Sequence, residues 1–185
     1  MNRRAFLQRV GLGSLAAGSV PLLGSPALAH LESDEENERH FRFVALSFRG
    51  TPTPSEAMVM EGTGIFGNGR LVGNGDWQHL TWPPAPKSTL LGHGLWKKRS
   101  LVSYQAGIGS FGEIEASILT LQIRMLPAED TDVDPFNATL EIACNVGPAG
   151  LSTGKTEGFT LTLPTGAPFV PAVANVGLTH ISTKH

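Results

Sequence analysis

The sequence predicts an all-β protein, most simply a single antiparallel β-barrel of about eight strands, with a two-sheet sandwich as the alternative. Short runs rich in β-branched and aromatic residues recur along the chain and are separated by turn residues. The 185 residues include 22 glycines and 13 prolines, and no long helical periodicity is present. Asn68-Gly69 stands between two alternating runs, which is the strongest short-range signal of a β-hairpin.

The hairpin around Asn68-Gly69 determines its own register. A two-residue type I′ turn at these positions pairs residues whose numbers sum to 137, from Met58 with His79 inward to the turn. This register places four glycines on one face and two opposed carboxylates on the other: Gly62, Gly64, Gly73 and Gly75, and Glu61 with Asp76. Bare backbone predicts a bend or the close approach of a large side chain, and Trp96 is our candidate to cover it.

The other strands follow from alternation between turn signals. Strands are expected over 41–48, 58–80, 89–104, 113–126, 136–146, 159–163 and 173–181, with a proline-rich connector at 82–87, glycine turns at 107–112 and 147–154, and an acidic loop at 127–135. The apolar face of 113–126 changes parity near Ile118–Leu119, which predicts a β-bulge or a change of packing environment. Bulges and glycine patches curve a sheet, so we prefer the barrel to the sandwich.

Residues 1–29 predict an export signal. A basic start and a weakly apolar middle lead to Ala27-Leu28-Ala29, which indicates cleavage after Ala29. Arg3 and Arg4 precede Phe6-Leu7, and this segment resembles the twin-arginine (Tat) signal. The resemblance implies that the Tat translocase exports the folded chain to the periplasm or the medium. A Sec signal that carries two arginines is the alternative. Gly, Ser and Pro interrupt the apolar region, so no stable membrane anchor is expected.

The mature chain is expected to begin with an acidic flexible tail at 30–39, followed by one domain at 40–185. Loss of the leader lowers the count of Lys and Arg from 14 to 11, against 16 Asp and Glu, for a formal charge of −5. Nucleic acid is therefore not an expected partner, because it requires a basic face. Cys144 lies on the apolar side of an alternating strand, which predicts a buried, inert thiol and no metal site.

Three classes of function remain open from the sequence. The leading one is a non-catalytic exported protein that binds a small apolar or aromatic ligand, and its candidate contacts are Trp77, Trp82 and Trp96. A tryptophan-lined cavity would favour this class. A surface or structural interaction module is an alternative, which a filled barrel would favour.

The other alternative is an enzyme of the cyclase, isomerase or lyase type, and the sequence leaves open whether the protein is an enzyme and which cofactor it takes. Its candidate acids and bases are Glu61 with Asp76 and His79 with His93. Buried, convergent carboxylates or histidines would favour this class.

Export is expected to depend on the paired arginines of the leader. Replacing both Arg3 and Arg4 with lysine should abolish export of the folded protein in a Tat-competent host, because the receptor reads the guanidinium pair. Immunodetection of the protein in exported and cytoplasmic fractions measures the effect. Undiminished export of the double variant would show that the leader is a Sec signal and not a Tat signal.

Overall fold

The computed structural model describes residues 37–50, 53–83, 88–129, 132–146, 152–171 and 177–183. The expected leader at 1–29 and positions 30–36 of the expected tail lie outside these ranges. The described residues belong to one compact unit, 32–185. They contain nine strands: β1 (Arg39–Arg49), β2 (Glu56–Gly67), β3 (Arg70–Thr81), β4 (Leu90–Phe111), β5 (Ile114–Pro127), β6 (Phe136–Cys144), β7 (Gly158–Thr162), β8 (Val170–Pro171) and β9 (Gly177–Thr183).

Six of these strands close into a ring in the order β1-β2-β3-β4-β5-β9, and every pair is antiparallel. Strands β6 and β7 continue the sheet from β5. Leu161 of β7 exchanges two backbone hydrogen bonds of 3.0 Å with Phe169, and the adjoining β8 pairs with β1. The predicted class, an antiparallel all-β fold with a closed, barrel-like sheet, is confirmed.

The β2–β3 hairpin has the predicted turn and register. Asn68 and Gly69 both have positive φ, 51° and 69°, as a type I′ turn requires. The pairing runs without interruption from Glu56 opposite Thr81 to the turn, and it includes Glu61 opposite Asp76. Local turn chemistry therefore sets which side chains share a face over the whole hairpin.

Trp96 covers half of the glycine patch, as predicted. It lies on β4 opposite Gly75, and its fully buried ring extends across β3 to Gly62 on β2. A Cβ at Gly62 would overlap the indole ring, and a Cβ at Gly75 would overlap the backbone oxygen of Glu61. The indole Nε1 donates a hydrogen bond of 2.9 Å to that same oxygen. The missing side chains thus let the indole reach the strand backbone.

Phe41 covers the other half of the patch, and the sequence did not identify it. This residue lies on β1 opposite Gly64, and its ring extends over β2 towards Gly73 on β3. A Cβ at Gly73 would come within 2.9 Å of the Phe41 ring. The bare backbone of the hairpin is therefore held between an aromatic side chain from each neighbouring strand.

Inward-facing side chains of the ring, together with those of β6, β7 and the segment before β8, form one buried cluster. β5 and β6 contribute aliphatic residues, and β1, β2, β7 and the segment before β8 contribute aromatic ones. Its largest members include Phe43, Phe66, Phe159, Phe169, Leu119, Leu121, Ile123 and Leu140. These side chains occupy the interior, so the space inside the ring is core.

The turn predicted between β4 and β5 is misplaced, whereas one of the two explanations predicted for the parity change of β5 is confirmed. Gly107 and Gly109 do not make the turn, because β4 continues to Phe111 and the reversal falls at Gly112-Glu113. The apolar face of β5 does switch near Ile118–Leu119, but the irregular register lies on β4, between Lys98 and Ser110. Loop residues 152–154 cover the outer side of Ile118, which explains why both parities are buried there.

The predicted start of the last strand falls outside the described residues. We expected a strand over 173–181; β9 covers Gly177–Thr183 of the described chain, and positions 172–176 lie outside the described ranges.

Alanine at Gly62 or Gly75 should destabilise the fold by about 1–3 kcal/mol, because each new methyl group overlaps the indole ring or the opposing backbone. Gly92 is the matched control. A Cβ there meets the Trp77 ring at 3.4 Å, an ordinary contact, so Gly92→Ala should be neutral or stabilising. Urea unfolding of the three variants measures the effects. Equal stability of Gly62→Ala and Gly92→Ala would contradict the packing.

Candidate functional site

The three tryptophans do not surround a common pocket. Trp96 belongs to the core, as does Trp77, which is 6% exposed and donates its indole N–H to the Leu95 oxygen at 3.0 Å. Trp82 lies outside that cluster and packs edge-on against Phe48, with ring centroids 4.8 Å apart. The predicted ligand contacts thus serve mainly as packing and hydrogen-bonding groups.

The outer face of the ring carries a groove that brings three of the predicted acid–base residues together. Glu61 of β2 and Asp76 of β3 are directly opposed, and Gln78 pairs with His93 in the adjacent row. The groove has a volume of about 330 Å³. It is lined by Val44, Val59, Glu61, Asp76, Trp77, Gln78, His93 and Gly94.

The two carboxylates of the groove are exposed and have no basic partner in the ion pairs of the described residues. Apolar side chains extend the same cross-strand row on both sides: Val44 is 47% exposed, Leu95 50% and Leu178 65%. Like charges placed directly opposite each other destabilise a sheet. A cation bound between them would remove that cost.

His79 lies on the other face from His93, so the structure separates the two predicted histidines. Its Nε2 is 2.9 Å from Glu56 Oε2, and the same oxygen accepts a hydrogen bond from Arg49 Nη1 at 3.2 Å. The His79 ring packs edge-on against Phe169, with centroids 5.4 Å apart. The sequence analysis missed Glu56 and Arg49. The hairpin register could nevertheless have identified Glu56, because extending it to Glu56 opposite Thr81 makes Glu56 a diagonal neighbour of His79.

A second charged cluster lies near the start of β1. Arg39 is buried, its Nε is 3.2 Å from Glu115 Oε2, and its guanidinium carbon lies 4.5 Å above the Tyr104 ring. The Tyr104 hydroxyl donates to the same Glu115 oxygen at 2.9 Å. Burial, with the Glu115 carboxylate in support, raises the pKa of Tyr104 to about 12, although the Arg39 charge opposes this rise.

Cys144 is fully buried on the apolar face of β6, as predicted. Burial raises the pKa of its thiol, which lies 3.5 Å from the Thr179 oxygen. A protonated, inaccessible thiol is a poor nucleophile. Within the described part of the chain, no group of three or more His, Cys, Asp or Glu residues is arranged to hold a metal ion.

Comparison with known proteins does not place the chain in a family. No family model matches it, and no match was found among curated proteins or among solved structures. Across the described ranges, no helix has the length and apolar character needed to cross a lipid bilayer.

Tyr104 should ionise with a pKa of about 12 in the native protein and about 10 in the unfolded chain. It is the only tyrosine, so tyrosinate absorbance reports this one group. Since the folded pKa is raised, its stabilising contribution is complete below pH 10 or so and is lost as the pH rises towards about 12. Glu115→Gln should lower the native value, whereas Glu113→Gln, at the exposed turn, should not. A native titration near pH 10 would contradict this environment.

Proposed function

We propose that the protein is an exported, non-catalytic binding protein whose ligand occupies the outer groove. The proposed ligand is a small apolar or aromatic molecule that carries a cationic group. One observation carries the proposal: the opposed carboxylates of Glu61 and Asp76 have no described basic partner and lie in a row of exposed apolar side chains.

Packing of the ring interior supports an external site. Trp96 and Phe41 lie directly on the glycine backbone, and the aliphatic residues of β5 and β6 complete the buried cluster. A ligand inside the ring would have to displace close-packed side chains, at a cost of several kcal/mol. The groove needs no such displacement, and its volume of about 330 Å³ is at the lower end of the range for small-molecule sites.

Charge distribution around the groove supports a cationic ligand. The pair is directly opposed across β2 and β3, and the groove extends from it towards Gln78 and His93. Arg42 and Lys97 lie in the next cross-strand row on the opposite side. An amine bound in the groove would therefore lie closer to the two carboxylates than to Arg42 or Lys97.

Exposure of the two carboxylates favours binding over catalysis. Glu61 and Asp76 are both exposed on an outer sheet face, where bulk water competes for any proton transfer. The same exposure is compatible with reversible recognition of a cation.

We propose that the Tat translocase exports the protein, so that it binds its ligand outside the cytoplasm. The paired Arg3 and Arg4 and the Ala27-Leu28-Ala29 end support delivery to the periplasm or the medium. The acidic balance of the mature chain supports a cationic ligand and gives no support to nucleic acid as a partner.

Titration with 2-phenylethylamine tests the groove, with 2-phenylethanol as the uncharged analogue. Saturable amide shifts of Glu61, Asp76 and His93 in ¹⁵N spectra are expected for the amine alone. The Glu61→Gln, Asp76→Asn double variant should bind roughly 5- to 30-fold more weakly, because each exposed ion pair contributes about 0.5–1 kcal/mol. Glu113→Gln is the matched control. Equal shifts with both compounds, or unchanged affinity in the double variant, would refute the proposal.

A further inference from the structure

Arg49 is the end residue of β1, where two contacts hold its guanidinium in place. Nη1 donates to Glu56 Oε2 at 3.2 Å. The guanidinium carbon lies 4.1 Å from the centre of the Phe169 ring. Gly166 is a near neighbour of the same group, since a Cβ added there would stand 3.7 Å from the guanidinium carbon. The side chain is thus fixed without using all of its donors.

The remaining edge of this guanidinium is buried and unsatisfied. Nε and Nη2 of Arg49 are almost fully removed from solvent, and neither has a hydrogen-bond partner. Leaving charged donors in this condition costs free energy, and native proteins rarely tolerate it without a compensating partner. The two atoms lie on one side of the planar group, where their N–H bonds are parallel. That spacing matches the two oxygens of a carboxylate.

We propose that the Nε–Nη2 edge of Arg49 binds the carboxylate of a small monocarboxylic acid. A bidentate carboxylate satisfies both donors together. Glu56 already neutralises much of the Arg49 charge, so a singly charged ligand meets less repulsion than a phosphate dianion. The site shares no residue with the outer groove, and it binds the opposite charge.

The segment between β7 and β8 lies beside the Arg49 site. Residues 164–168 are all exposed, and Gly166 lies close to the guanidinium. Pro164 and Pro168 lie at the two ends of this segment and donate no backbone hydrogen bond. Glu56 and His79 remain partly exposed beside Arg49, with side-chain exposures of 30% and 23%.

Titration of ¹⁵N-labelled full-length mature protein with sodium acetate tests the site, with sodium chloride and acetamide as controls. The Arg49 Nε–H resonance should shift saturably with acetate and should not respond to either control. Arg49→Lys keeps the charge but loses the parallel donors, so it should bind acetate about tenfold more weakly or worse. Arg70→Lys, at an exposed ion pair with Glu38, should bind acetate as the wild type does.

Two results would overturn the proposal: no saturable shift of the wild-type Arg49 resonance, or an equal response to acetamide. Either would mean that water alone satisfies the buried edge. The wild-type resonance reports the site directly, so the test holds even if Arg49→Lys fails to fold. Failure here leaves the amine site intact, because the two titrations monitor different residues and opposite charges.

Discussion

Contact between two aromatic rings and bare strand backbone is the constraint on which the rest of the structure depends. Trp96 from β4 and Phe41 from β1 lie over the glycines of the β2–β3 hairpin, where any side chain would collide with them. Four successive strands are thereby packed through one aromatic layer. The interior that results is occupied, so chemistry with a ligand is left to the outer face and to the ring ends. This is why the proposed sites lie where they do.

Arg39 and Arg49, at the two ends of β1, illustrate a complete and an incomplete charged cluster. At the start of the strand, Arg39 is satisfied by Glu115 and stacks on Tyr104, an arrangement that ties β1 to β4 and β5. At its end, Arg49 uses one nitrogen for Glu56 and leaves a buried edge without a partner. Since buried charge is costly unless it is paired, the first cluster is understandable as structure alone. The Arg49 cluster differs because two of its buried donors have no partner, and the proposed carboxylate ligand would supply one.

Features set by neighbours in the chain could be predicted from the sequence. Asn68-Gly69 determines the turn and therefore the register, and alternation places Cys144 in the core. Features set by distant packing could not. Nothing in the local pattern shows that Phe41 reaches across β2, or that the hairpin of β4 and β5 bends through irregular register on β4. The candidate sites divide in the same way. The hairpin register was enough to predict that Glu61 lies opposite Asp76, whereas the contacts of Arg49 are visible only in the folded structure.

Hydrogen exchange of the Trp96 indole N–H tests most directly whether this aromatic layer is the closed centre of the fold. The donor is bonded to the Glu61 oxygen at 2.9 Å, and its ring is fully buried. Exchange should therefore require global unfolding, and the free energy derived from it should equal that from urea unfolding. An indole proton that exchanges through local opening, with a free energy well below the global value, would contradict the account. It would mean that the interior opens readily and is available to a ligand.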